Sequence, residues 1–191
     1  MKQTDSLSLV NGMNRVLVIG GNGAGKTTFS IKLAELTGLP LTHLDQLGWH
    51  GHWQSRTDEE FDALLLEALE QPRWIIDGNY GRTIPLRASY CDTLIFLDVS
   101  TIRCLFSIVK RVLQNYGRSR PDMGGYCPER FDLEFMRAAF HLPKRVRVRY
   151  DLMCQDPDFA HVAFLRLRGR RQAKRFLAQV QSYESKRRIP L

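Results

Sequence analysis

The chain has 191 residues, 43% hydrophobic and 25% charged, an ordinary globular composition long enough for one sizeable core. No apolar run approaches the roughly 18 residues of a membrane span, and four scattered cysteines without a CxxC pair support neither a zinc knuckle nor a dithiol redox motif. The net charge of +8 is uneven: residues 1–102 hold 8 Lys/Arg and 12 Asp/Glu, residues 103–191 hold 20 and 8, so the second half either faces an anion or presents a basic solvated surface.

In chain order, the first fourteen residues lack the basic and apolar regions of a signal peptide and read as a short, partly disordered extension. With reduced thiols, this suggests a cytoplasmic protein. RVLVI (15–19) is a compact apolar run, predicted as a buried strand. GGNGAGKTTF (20–29) follows and leads into FSIKLAEL, where Phe29, Leu33 and Leu36 recur at helical spacing. Further strands are predicted near 40–44 and at 73–77, 92–98 and 161–167. Helices are predicted at 58–70, with Thr57 and Glu60 as a capping box, at 101–115, at 132–153 with an interruption near Pro143, and at 170–182. Residues 116–131 hold neither hydrophobic period and read as a lid-like insert. Alternating strands and helices over 1–191 predict one α/β domain, a parallel sheet with helices on both faces.

Gly20-x-x-x-x-Gly25-Lys26-Thr27 fits the P-loop pattern in full, between a buried strand and a helix. Such a loop (Gly20, Gly21, Asn22, Gly23, Ala24, Gly25, Lys26, Thr27 and Thr28) curls so that backbone N–H groups face phosphate oxygens, with the positive end of the helix behind them. Lys26 is expected at the β- and γ-phosphates of ATP, and the Thr27 hydroxyl at Mg²⁺. The metal also wants a carboxylate; Asp77 and Asp98 both end predicted strands, the edge that faces the ligand crevice in parallel sheets. Asp45 lies in a loop crowded with His43, Trp49, His50, His52 and Trp53. It reads as an acceptor site with Asp45 taking a hydroxyl proton and Trp49 covering a planar ligand, or as a packed aromatic loop. The histidine spacing does not match a zinc motif.

WIIDGNYG (74–81), HLDQLGW (43–49), RPDM (120–123) and CPERFDLEF (127–135) together resemble the bacterial DNA topology modulation proteins, small P-loop proteins related to adenylate kinase. The resemblance runs from about Arg15 to Leu177. It implies a five-stranded parallel sheet of order 2-3-1-4-5, ATP at the P-loop and a lid that closes over it. It places Asp77 at the magnesium water shell and Arg111 at the lid hinge against ATP phosphates. Where related kinases carry an arginine on adenine, this chain has Ser107. Arg87 and Arg82 follow the DGNY turn, with Asn79 in it, where an acceptor anion would be held. The expectation is an ATP-dependent phosphotransferase of adenylate kinase type acting on a small acceptor, a nucleotide or nucleoside, with Lys26, Asp77, Asp45 and Arg111 as the reacting site. Further lid cations are Arg118, Arg120, Arg130, Arg137, Arg145 and Arg149. The alternative is a nucleic-acid-binding ATPase using the basic half on a phosphate backbone.

Overall fold

Val16, Leu17, Val18 and Ile19 have no exposure to solvent, and their alternation builds two cores rather than one. The computed structural model describes residues 10–187. Its elements are β1 (Arg15–Gly20), α1 (Lys26–Thr37), β2 (Leu41–His43), α2 (Leu44–Gly48), β3 (Trp49–Gly51), β4 (Gln54–Ser55) and α3 (Asp58–Glu70). There follow β5 (Trp74–Asp77), α4 (Ile84–Tyr90), β6 (Thr93–Asp98), α5 (Thr101–Asn115), α6 (Leu133–Met153), β7 (Ala163–Arg168) and α7 (Gly169–Arg187). The main sheet is all parallel, in the order β2-β5-β1-β6-β7. Counted over its own five strands this is 2-3-1-4-5, the order expected from the sequence.

Val16 and Val18 point to one face, with Phe29 and Leu33 of α1 and Phe176 and Val180 of α7. Leu17 and Ile19 point to the other, with Phe61, Leu65 and Leu69 of α3, Ile84 of α4, and Val146 and Tyr150 of α6. Both faces are covered, as a parallel sheet of apolar strands requires. The Thr57–Glu60 capping box forms in full at the start of α3. A smaller cluster of Ile108, Val112 and Ala139 joins α5 to α6. Among the described residues no helix is long and apolar enough to cross a membrane.

Three departures from the sequence reading have physical causes. The predicted N-terminal extension falls partly on residues 1–9, outside the described residues; beyond them Val10 and Met13 are buried in the α1/α7 core instead of lying loose. Helix α6 is not interrupted at Pro143 but runs through it. The proline is buried, and its ring packs against Gly21 of the P-loop. Finally, the aromatic loop contains a β-hairpin, β3 with β4. Its two turn residues, His52 and Trp53, sit at φ +48° and +59°. Such turns are ordinarily signalled by Asn-Gly or Asp-Gly, and His-Trp gives no such signal.

Asp98 ends β6 but does not face the crevice. Arg147 from α6 holds its Oδ1 at 2.6 Å, and Arg166 from β7 holds its Oδ2 at 2.8 Å. Burial alone would raise this carboxyl's pKa; the two guanidiniums hold it below its ordinary range. A depressed carboxylate stabilises the fold above its unfolded pKa, and that contribution is lost as pH falls through the folded value. Asp98→Asn is therefore expected to cost about 2 kcal/mol near neutrality, discounted for the partly exposed Arg147. The loss should shrink as pH drops below the carboxylate range. Urea melts of both proteins at two pH values check this.

Candidate active site

The carboxyl ends of β1, β2 and β5 bring together the three segments singled out above. Gly23 and Gly25 take φ of +78° and +93°, a conformation strained for any side chain, and a methyl at Gly23 would run into the Cys104 carbonyl. Ala24 N–H donates to the Gly21 carbonyl at 3.1 Å, and the helical ladder opens with Phe29 N–H to the Gly25 carbonyl at 3.0 Å. The amides of Lys26, Thr27 and Thr28 precede that ladder, at the positive end of α1. Lys26 folds back on its own loop, its Nζ donating to the carbonyls of Gly20 and Gly21 at 3.1 and 3.3 Å. Burial lowers its pKa, against the pull of Asp77 and Asp45.

Asp77 is buried, and its two oxygens differ. Oδ1 meets His43 Nδ1 at 2.8 Å, whereas Oδ2 is buried with no hydrogen-bond partner. Burial alone would lower the His43 pKa, but this hydrogen bond and the Asp77 charge raise it. An orphaned carboxylate oxygen needs a partner, and a magnesium-bound water would be one. Among the described residues no three His, Cys, Asp or Glu side chains converge as a ready metal cage. Magnesium at phosphate sites does not need one, since it takes one or two protein oxygens plus phosphates and water. The Thr27 hydroxyl and Asp77 Oδ2 fit that demand. Asp98, with both oxygens held by arginine, does not. Asp45, on the first turn of α2, has its pKa raised by burial against the charges of Lys26 and Arg120. The loop histidines diverge: His43 goes to Asp77, His50 to Glu60 at 3.3 Å, and His52 packs on the Tyr126 ring.

Residues 116–131 lie across this edge. The insert rests on the hairpin through Trp53 Nε1 to the Pro128 carbonyl at 3.0 Å and His52 N–H to the Tyr126 carbonyl at 2.6 Å, and on α2 through Gln46 Nε2 to the Pro121 carbonyl at 3.2 Å and Gly124 N–H to the Asp45 carbonyl at 3.3 Å. Gly124 is glycine because a methyl there would strike the Trp49 carbonyl and lie 2.6 Å from that of Gln46. A chain of charge links the insert to the loop. Glu129 Oε1 lies 3.0 Å from Arg111 Nε and 2.7 Å from Arg120 Nε; Arg120 pairs with Asp122, and Asp122 Oδ2 accepts from Thr27 Oγ1 at 3.2 Å. Burial and the neighbouring Arg120 lower the Arg111 pKa. Asp122 and Glu129, both buried, are the site residues that the sequence reading missed. The only signal was their place within RPDM and CPERF.

On the far side of Asp45, Trp49 and Tyr80 line a cavity of about 360 Å³ together with Arg56, Arg82, Phe61 and Asp58. Asn79 instead faces the P-loop, its Oδ1 accepting from Gly20 N–H at 3.2 Å. Arg82 is engaged by Asp58 at 3.1 Å and Asp62 at 2.8 Å. Arg87 departs from the expectation: it is fully buried and does not reach the cavity. Its guanidinium donates to the carbonyls of Gly78, Asn79 and Tyr80 and to the Thr83 hydroxyl, so it clamps the turn from behind. Burial, reinforced by the charge of Arg149, lowers its pKa to about 9. Arg87→Ala is expected to cost about 3 kcal/mol by stranding these carbonyls, read as a fall in urea midpoint. A raised acceptor KM at unchanged stability would return the residue to a ligand role. Ser107, where the resemblance implies an arginine, is met by one from elsewhere: Arg170 at the start of α7 donates to the Ser107 hydroxyl at 2.6 Å.

No family model matches the chain, and no curated protein sequence does. Solved structures do match. A shikimate kinase from Acinetobacter baumannii in complex with shikimate is 13% identical, with a TM-score of 0.55 over 96% of this chain and 99% of that one. A shikimate kinase from Bacteroides thetaiotaomicron is 19% identical, with a TM-score of 0.51 over 90% and 98%. At these identities the likeness shows the fold alone, the five-stranded parallel sheet with helices on both faces.

Proposed function

We propose that the protein is an ATP-dependent phosphotransferase acting on a small acceptor. The observation that carries this is the meeting, at one sheet edge, of a complete P-loop with Lys26, the Thr27 hydroxyl, the unpartnered Asp77 Oδ2 and the half-buried Asp45. Phosphoryl transfer asks mainly for positioning and charge neutralisation. The loop amides and Lys26 receive the triphosphate, Lys26 exchanging two carbonyls for phosphate oxygens. Arg111 and Arg120, already gathered by Glu129, lie above the loop to take up charge as the insert closes. Asp45 accepts the acceptor's proton. Its raised pKa makes it a stronger base than an exposed aspartate. Thr27 and Asp77 would hold Mg²⁺, which supplies further neutralisation of phosphate charge when bound.

That the solved neighbours are shikimate kinases, one holding shikimate, supports a small molecule as acceptor; a nucleotide or nucleoside is the class the family resemblance suggests. The test is ADP release from Mg·ATP with nucleosides, nucleoside monophosphates, sugars and hydroxy acids. Acceptor-dependent release supports the reading. Release stimulated only by DNA, with binding that falls steeply as salt is added, would replace it with the nucleic-acid-binding ATPase.

A further inference from the structure

The cavity beside Asp45 carries an uneven set of charges. Arg82 and Asp58 line it and neutralise one another, with Asp62 as a second partner for Arg82. Arg56 lines it too, at the end of the β3–β4 hairpin. Among the described residues no carboxylate lies within ion-pair distance of Arg56. Its Nε is buried without a hydrogen-bond partner, and Nη1 reaches only His50 Nε2, at 3.5 Å. The nearby Glu60 is occupied by Thr57 N–H and by His50. Behind the cavity wall the 78–81 turn is backed by two more guanidiniums. Arg87 bonds to the carbonyls of residues 78–80, and Arg149 Nη1 donates to the Gly81 carbonyl at 2.6 Å. Neither has a carboxylate partner among the described residues. The cavity wall thus carries one guanidinium without a carboxylate partner and one buried donor left unsatisfied, a costly arrangement unless a ligand completes it.

The rest of the wall says what else the ligand carries. Trp49, Phe61 and Tyr80 give the cavity flat apolar sides, with Phe61 and Tyr80 stacked at 4.7 Å, suited to a ring. A volume of about 360 Å³ suits a small molecule. The Tyr80 hydroxyl lies against Gly48 of α2, the short helix that also carries Asp45, and the Asp45 charge adds to burial in raising its pKa, so the cavity ends close to the proposed base.

We propose that this cavity is an anion-recognising acceptor site. Arg56 binds a carboxylate or phosphate monoester on the acceptor, and the aromatic walls hold its ring or carbon frame. The reacting oxygen is turned toward Asp45. Only that last clause rests on the phosphotransferase reading; the anion site stands on the cavity and on Arg56.

The test has two arms. In the first, ADP release is compared over pairs differing only in charge: nucleoside monophosphate against nucleoside, sugar phosphate against sugar, hydroxy acid against its methyl ester. The expected result is that only charged members serve, the active pair telling phosphate from carboxylate. Arg56→Gln should raise the acceptor KM about 10- to 100-fold, the effect of one lost charge-assisted hydrogen bond. Arg56→Lys should recover part of it, and the KM for ATP should stay unchanged. Neutral members turning over as well as their partners, unaffected by Arg56→Gln, would overturn the proposal. The second arm needs no turnover. The Arg56 Nε–H resonance, assigned by its loss in Arg56→Gln, is followed while inorganic phosphate, acetate or glucose is added. A saturable shift with either anion and none with glucose is expected; no shift with either anion overturns the site. Absent ADP release with the shift intact would instead count against the phosphotransferase reading alone.

Discussion

Lys26→Ala is expected to lower the rate of ADP release by about 10²–10³-fold, the scale on which one preorganised charge donor at a reacting centre acts. Mg·ATP affinity should fall with it, since the loop loses its only ammonium. The fold should survive, because Lys26 Nζ contacts only the two carbonyls of Gly20 and Gly21. A thermal melt within a few degrees of the parent, together with the lost activity, separates a binding effect from unfolding. Near-parental ADP release from this variant would remove the P-loop from the mechanism.

Asp77→Asn carries the second large effect, and its sign differs for stability and for function. The carboxylate is buried, with Oδ2 unpartnered, so neutralising it relieves a desolvated charge while an amide oxygen can still meet His43. Stability should hold or rise. The magnesium concentration for half-maximal rate should rise about 10- to 100-fold, as when an oxygen that orients a metal's shell is lost. Asp98→Asn is the internal comparison. It also removes a strand-end carboxylate but should leave the magnesium requirement alone, because both Asp98 oxygens are held by Arg147 and Arg166. Equal magnesium dependence in Asp77→Asn and the parent would dissociate Asp77 from the metal.

Local signals carried much of the fold. The apolar run 15–19, the glycine loop and the helical spacing after it lie within one stretch of chain, and each has a short-range cause. The strand-end aspartates could be named but not ranked from sequence. What separates Asp77 from Asp98 is a pair of arginines 49 and 68 residues further along. Arg87 was misplaced for the opposite reason. Its nearness to the DGNY turn was legible, but whether it faced the cavity or the turn's back depended on the path of α4. The hairpin escaped because His52 and Trp53 are unusual in left-handed turn positions. The Arg111–Glu129–Arg120–Asp122 chain escaped because it forms only when the insert folds back onto the loop. Charge spacing along 111–129 matches no helical or strand period that would have announced it.

The central claim is that the loop of residues 20–28 holds the phosphates of a nucleotide. A crystal structure with Mg²⁺ and a non-hydrolysable ATP analogue tests it most directly. The account predicts β- and γ-phosphate oxygens within hydrogen-bond distance of Lys26 Nζ and of the loop amides, the ammonium having left the Gly20 and Gly21 carbonyls, and the metal between Thr27 and the Asp77 side. Lys26 still bonded to its own loop while the nucleotide occupies another cleft would contradict it.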